Sequence, residues 1–250
     1  MKIDSVTIIG GGASLQQGID LGLYAKIKNK CTITINYEYK YFDSTIICFS
    51  DTGFYNKNKD NLKNYPLIVG VDRNCGLEKL SNTYLFKLLD SWHNPLDIRA
   101  GLYACNLSGY LAMSFAIWVL GGIGKIFILG YDWTVRTESE KKLGIKNNGY
   151  HNSTPIDKRI QTHCHTKIDH KGIGLTSYFE NNDPNEKFLP FLNEKEIQIY
   201  NVSPYSNITC FEKCDYPKFF KLIERNKTYS QIRLQNEIKL RLLEDLNKEA

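Results

Sequence analysis

Apolar residues along this chain come in short runs separated by glycine-rich or polar stretches. Residues 5–10, SVTIIG, form the first run and end in glycines. That is the pattern of a strand buried on both faces of a parallel sheet. Residues 14–28 have a helical outline. CTITINYEY (31–39) is rich in β-branched side chains and predicts a second strand, with Asn36 near its carboxyl end. STIICFSD (44–51) predicts a third, ending on Ser50 and Asp51, and YPLIVGV (65–71) a fourth. Residues 84–89 predict a short helix. Residues 108–120 are apolar nearly all round, which predicts a buried helix, with Ser108 as its N-cap. KIFILG (125–130) predicts another strand, followed by Tyr131, Asp132 and Trp133, and IQIYNVSP (197–204) predicts the last. Strands alternating with helices give an α/β fold with an open, mostly parallel Rossmann-like sheet.

Two regions depart from the alternation. Residues 136–189 are long, polar and weakly periodic, which predicts a functional or lid-like insert. Residues 216–250 read as a charged C-terminal helical tail. The expected organisation is one nucleotide-binding α/β domain over 1–215, containing the insert, plus that tail. IRLQNEIKLRLLEDL places Ile232, Leu234, Ile238, Leu240, Leu242 and Leu243 on a broad face. Such a face packs either on the domain or on another subunit, so a homo-oligomer formed through this helix stays open.

Bulk properties narrow the choice. The 250 residues are enough for one sizeable core. A net charge of +5 without a basic run gives no ground for a nucleic-acid partner. The most apolar stretch, LAMSFAIWVLGGIGKIFILG, is broken by Gly121, Gly122, Gly124 and Lys125 and reads as helix, turn and strand rather than a membrane span. No secretory signal precedes the first strand. The expected location is the cytoplasm, with the periphery of the inner membrane as a further option. The seven cysteines, Cys31, Cys48, Cys75, Cys105, Cys164, Cys210 and Cys214, are odd in number and scattered, with no CxxC pair. They predict reduced core thiols rather than a disulfide framework or a zinc ribbon.

Ligands of open α/β sheets bind outside the carboxyl ends of the strands. Gly10, Gly11 and Gly12 stand there, where glycine lets the backbone approach a phosphate and the next helix offers free N–H groups. Ser14 adds a hydroxyl or caps that helix. The run is not a dinucleotide fingerprint: Leu15 occupies the third glycine position, and Asn36 stands where an acidic residue is expected about 20 residues on. No Walker lysine follows. Asn36 can both donate and accept, toward a ribose hydroxyl or a base edge. Ser50 and Asp51 at the third strand tip are further candidates, or a turn and cap. Ser108 and Gly109, at the start of the apolar helix, face the same edge. Asp132, directly after a strand, can fix a hydroxyl or cap a turn. THCHTKIDHKGIG carries His163, His165 and His170 within eight residues. A metal set through His163, Cys164, His165 and His170 is crowded. An acid–base role fits better, because histidine titrates near neutrality, and Lys167 can offset charge on a departing phosphate.

TIIGGGASL, Asn36, SGYLAMSFAIWVLGGIGKIFILGYDW, the histidine loop and IYNVSPYS together resemble the bacterial lipooligosaccharide sialyltransferases. They also resemble a wider group of bacterial and phage proteins classed with the 6-hydroxymethylpterin diphosphokinase-like proteins. The likeness runs over residues 5–210. It implies one nucleotide-binding domain with a lid-like insert, a CMP-sugar donor and a loop histidine as general base. His170, 38 residues after Asp132, is the implied base, with His163 and His165 behind it. Asn36 matches a nucleotide-contacting asparagine, and Ser108 and Gly109 match a Ser-Gly pair that touches the donor. Five positions depart from the pattern. Gly11 replaces an asparagine, Ser50 or Asp51 replaces another, Cys105 replaces an arginine, and Thr134 and Lys167 replace tyrosines.

The expected function is therefore a glycosyltransferase that moves a sugar from a nucleotide sugar to a hydroxyl of a small-molecule or glycan acceptor. His170 and Lys167 would be catalytic. Gly10, Gly11, Gly12, Ser14, Asn36, Ser50, Asp51, Ser108, Gly109 and Asp132 would bind the donor. No DxD-type motif stands on a strand end, so no metal is expected to be required. Two alternatives remain. One is a diphosphotransferase with Mg²⁺ on Asp51 or Asp132. The other is a non-catalytic nucleotide-sequestering protein.

Overall fold

The computed structural model describes residues 1–12, 14–72, 76–89, 93–103, 108–131, 183–203, 206, 208 and 210–248. Asp132, Thr134, His163, Cys164, His165, Lys167, His170, Cys75, Cys105 and most of the 136–189 insert lie outside the described residues.

Among the described residues nine strands form one sheet. They are β1 Ser5–Ile9, β2 Thr32–Ile35, β3 Ile46–Phe49, β4 Ile68–Asp72, β5 Thr83–Leu89, β6 Leu102–Tyr103, β7 Gly124–Leu129, β8 Ile197–Asn201 and β9 Glu212–Lys213. Their order is β6-β5-β4-β3-β2-β1-β7-β8-β9, and every neighbouring pair is parallel. This is the expected open Rossmann-like α/β sheet. The chain builds outward from β1 to β6, then returns to the centre and places β7 on the other side of β1. The direction of winding therefore reverses between β1 and β7. Both edge strands, β6 and β9, have only two residues, which leaves little open ladder for edge-to-edge pairing.

Helices cover both faces, as burial of an all-parallel sheet requires. They are α1 Leu15–Asp20, α2 Leu23–Ile27, α3 Thr52–Leu62, α4 Ser108–Leu120, α5 Asp183–Glu194, α6 Tyr216–Glu224 and α7 Gln231–Asn247. Alternate strand residues divide the core. Val6, Ile8, Ile126 and Ile128 face α4, α5 and α7. Ile9, Phe127 and Leu129 face α1, α2 and α6. Ile47, Phe49 and Ile68 face α3.

The helix α4 is apolar all round because it lies between two layers, with the sheet on one side and α7 on the other. The α7 residues Leu234, Ile238 and Leu242 enter the same core, whereas Ile232, Leu240 and Leu243 are exposed, so the broad apolar face read from the sequence divides in two. Polar groups fasten the layers. Trp118 Nε1 donates to Asp245 Oδ2 at 2.9 Å. The Arg241 guanidinium donates to the Trp118 and Val119 carbonyls, both at 2.9 Å. These are among the carbonyls that the end of α4 leaves without helical partners, and a cation there also suits the helix dipole.

Residues 84–89 form strand β5, not the expected helix. Tyr84 pairs with Val69 and Phe86 with Val71, in register with β4. The expected helix over 14–28 is two short helices, because Gly22 takes a left-handed conformation (φ 89) between them. The second strand stops at Ile35, and Asn36–Lys40 forms a turn of 3-10 helix.

Candidate functional site

The reversal between β1 and β7 puts the glycine bend at the crevice where ligands of such sheets bind. Two backbone bonds tie the bend to the β7 tip: Gly10 N–H donates to Leu129 O and Gly12 N–H to Gly130 O, both at 2.8 Å. Among the described residues the Gly11 N–H has no such backbone partner, and Gly11 is half-buried. Gly130 makes the close approach feasible. Its φ is 67, and a Cβ there would stand 2.5 Å from Gly10 O and 2.9 Å from Gly12 N. The first helix after the bend has only six residues, so the dipole it adds is smaller than a continuous helix over 14–28 would supply.

Tyr131, which the sequence reading passed over, is the wedge of this site. A Cβ on Gly10 would lie 3.3 Å from its ring, and a Cβ on Gly109 3.0 Å. The ring is therefore packed between the bend and the first turn of α4, and both glycines make room for it. Its hydroxyl donates to Gly109 O at 3.0 Å. Burial, aided by the neighbouring Cys48, raises the phenol well above its ordinary pKa, so it stays protonated.

Three candidate residues from separate elements meet beside this wedge. Asn36 follows β2, Ser50 follows β3, and Ser108 begins α4. The Ser50 N–H donates to Ser108 Oγ at 2.9 Å, the two serine hydroxyls are 2.8 Å apart, and Ser108 Oγ donates to Asn36 Oδ1 at 3.3 Å. Ser108 is thus the first helical residue, its hydroxyl engaged with the strand tips. Asn36 sits at φ 51, a region that asparagine tolerates better than most residues.

Other candidates have structural partners. Asp51 is the N-cap of α3: Oδ1 accepts from Gly53 N–H at 2.8 Å, and the side chain is exposed. Ser14 is buried, and its hydroxyl donates to Ser203 Oγ at 3.2 Å. Ser203 Oγ also accepts from the Tyr131 N–H at 2.9 Å, and Asn201 Oδ1 accepts from Ser203 N–H. This second network, at the β8 tip, supports the β7 end of the crevice. The structure thus brings together Gly10, Gly12, Asn36, Ser50, Ser108 and Gly109. Among the described residues no group of three or more histidine, cysteine, aspartate or glutamate side chains is placed to hold a metal. No described helix is long and apolar enough to cross a membrane. The described cysteines Cys31, Cys48, Cys210 and Cys214 are free thiols.

No protein-family model matches the chain, and no curated protein matches it. Among solved structures, a reductase engineered to attenuate substrate inhibition in asymmetric catalysis aligns at 15% identity with a TM-score of 0.23. That alignment covers 80% of this chain and 58% of the reductase, and a likeness this weak bears on neither fold detail nor activity.

Proposed function

We propose that this chain binds a nucleotide at the carboxyl edge of its sheet and acts as a nucleotide-sugar-dependent glycosyltransferase. One observation carries the reading: the glycine bend, the Asn36 amide and the Ser50–Ser108 pair converge at the β1/β7 reversal. The nucleotide lies across the bend, with Gly11 N–H offered to a phosphate and Asn36 beside the base or ribose. The resemblance in sequence to CMP-sugar-dependent transferases supports the donor class, and the chain's own histidine cluster supports the chemistry. The His170 imidazole takes the proton of the acceptor hydroxyl as that oxygen bonds to the anomeric carbon. The carbon–oxygen bond to the phosphate breaks, the nucleotide leaves with the electron pair, and Lys167 offsets the charge gained.

The test is nucleotide release from a panel of CMP-sugars and UDP-sugars, together with calorimetric donor binding. A general base contributes about 10²–10⁴-fold in rate. His170→Ala is therefore expected to lose turnover by at least about 100-fold while its donor Kd stays within about twofold. Full turnover in that variant removes His170 from the mechanism. Stabilisation by ATP but by none of the CMP or UDP compounds overturns the transferase reading.

A further inference from the structure

Helix α7 has two apolar faces, and the fold buries one of them. Leu234, Ile238 and Leu242 enter the core. The other face carries Ile232, Leu240, Leu243 and Leu246, which are 73%, 54%, 47% and 40% exposed. At 3.6 residues per turn, Ile232, Leu243 and Leu246 lie within about 60° of one another and Leu240 borders them. Single exposed apolar side chains are ordinary, but a stripe of four along one helix marks a contact surface. The residues beside the stripe identify what it contacts. Arg233 and Lys239 balance Glu237 and Glu244, so the face lacks the excess of cations with which amphipathic helices hold an anionic bilayer. Its charges instead complement themselves. Arg233 and Glu244 are both exposed and stand on one flank about three turns apart. When a second copy of the helix runs antiparallel, with a two-fold axis between Ile238 and Lys239, each Arg233 is level with Glu244 of the other copy. The pairing occurs twice, because a two-fold interface is reciprocal. In the same register Ile232 enters between Leu243 and Leu246 of the second copy, and the two Leu240 side chains meet beside the axis.

We propose that the outer face of α7 is the interface of a two-fold homodimer, with the two helices antiparallel, the leucine stripe at its centre and reciprocal Arg233–Glu244 pairs at its rim. The helix lies at the amino end of the sheet, where the Met1 amino group donates to Glu237 Oε1 at 2.7 Å and Gln235 Nε2 donates at 3.5 Å to the carbonyl of Thr45, just before β3. Pairing there leaves the glycine bend and the carboxyl strand tips of both copies open to ligand. Two features keep the association reversible. The two Lys239 side chains approach each other close to the axis, and one helix offers less than the about 800 Å² per partner of a standard interface. The dimer therefore has a dissociation constant of about 1–100 μM.

Sedimentation velocity of the full chain between about 1 and about 300 μM tests this, with circular dichroism as the folding control. Arg233→Glu, Glu244→Arg and Leu240→Glu change exposed side chains, and each is expected to weaken the dimer at least about tenfold. Arg233→Glu and Glu244→Arg combined in one chain restore it. An equimolar mixture of the two single variants forms a heterodimer, because opposite charges then face one another at both positions. Lys239→Gln removes the like-charge contact near the axis and tightens the dimer. A wild type that stays monomeric throughout the range overturns the proposal. So does a dimer that the three weakening variants leave unchanged, because it is then held by another face. Loss in the single charge variants without recovery in the mixture or the double variant overturns the antiparallel register and the proposal with it. A monomeric chain that sediments with phosphatidylcholine–phosphatidylglycerol vesicles, and no longer does so as Leu240→Glu, gives this face to a bilayer and overturns the proposal as well.

Discussion

Replacing Gly130 by alanine attacks the one contact that lets the glycine bend lie against the tip of β7. Gly130 has φ 67, and an added Cβ would come within 2.5 Å of Gly10 O and 2.9 Å of Gly12 N. Both neighbours are backbone atoms, so no side chain can swing aside. A left-handed conformation costs an alanine about 1–2 kcal/mol. Overpacking of a close-packed site adds about 1–3 kcal/mol, and the stiffer unfolded chain returns about 0.4–1 kcal/mol. The net loss is about 2–4 kcal/mol, a large fraction of the about 5–15 kcal/mol by which domains are usually stable. Gly121→Ala is the control, because Gly121 has φ 67 as well, but a Cβ there meets nothing within 4 Å. Urea unfolding of the two variants, read by tryptophan fluorescence, separates conformational strain from collision. Gly130→Ala is expected to be less stable than Gly121→Ala by at least about 1 kcal/mol. It should also lose nucleotide affinity, because relieving the collision moves the bend. Equal stability of the two variants would refute the reasoning.

Three further results are expected. Arg241→Ala removes the guanidinium that donates to two α4 carbonyls and lies 4.8 Å from the centroid of the Trp118 ring. Urea unfolding should show a loss of about 1.5–3 kcal/mol, and a loss below about 0.5 kcal/mol contradicts the role given to it. Burial pushes Cys31, Tyr39 and Tyr229 up to about 12, whereas unfolded thiols and phenols ionise near about 8.5 and about 10. The native state keeps protons that the unfolded state loses, so stability falls as pH rises from about 9 to about 12, by up to about 1.4 kcal/mol per pH unit for each group ionised only when unfolded. Unfolding midpoints that stay flat or rise between about pH 8 and about pH 10.5 would contradict that sign. Gly109→Ala brings a Cβ to 3.0 Å from the Tyr131 ring and should weaken nucleotide binding with little change in secondary structure, as titration calorimetry and circular dichroism would show.

The central layers of this fold are legible in the sequence because burial leaves a strong mark. The α4 helix and β7 were readable from one apolar stretch interrupted by Gly121 and Gly122, whose φ values of 67 and 86 make the turn between them. The outer elements leave weaker marks. In β5, Lys87 is exposed and several neighbours are half-buried, so the alternation of a strand is blurred and six mostly apolar residues fit either element. The α3 helix buries Phe54, Tyr55, Asn58 and Leu62 among polar residues. Its Asp51 cap and apolar spacing are in the sequence, but the polar residues between the buried positions dilute the helical stripe. Two-residue strands such as β6 and β9 carry no pattern at all.

The candidate site divides in the same way. The glycine bend and Asn36 announce themselves by residue type and place after a strand. The relay among Asn36, Ser50 and Ser108 does not, because its partners are 58 and 72 residues apart and meet only when three elements end side by side. Tyr131 was hidden for a related reason. Its role depends on Gly10 and Gly109 lying on opposite sides of one ring, and its one mark in the sequence is an aromatic residue directly after a central strand. Asn201 and Ser203 support the bend from a strand tip nearly two hundred residues away in sequence, as the 189-residue separation of Ser14 and Ser203 illustrates.

The most direct measurement is a map of backbone and side-chain amide resonances of the full chain titrated with CMP. The account predicts that the largest shifts fall on Gly11, Ser50, Ser108 and Tyr131 and on the side-chain amide of Asn36. Shifts confined to the opposite edge of the sheet, around Asp4, Lys30 and Tyr229, or no saturable shifts with any nucleotide, would contradict it.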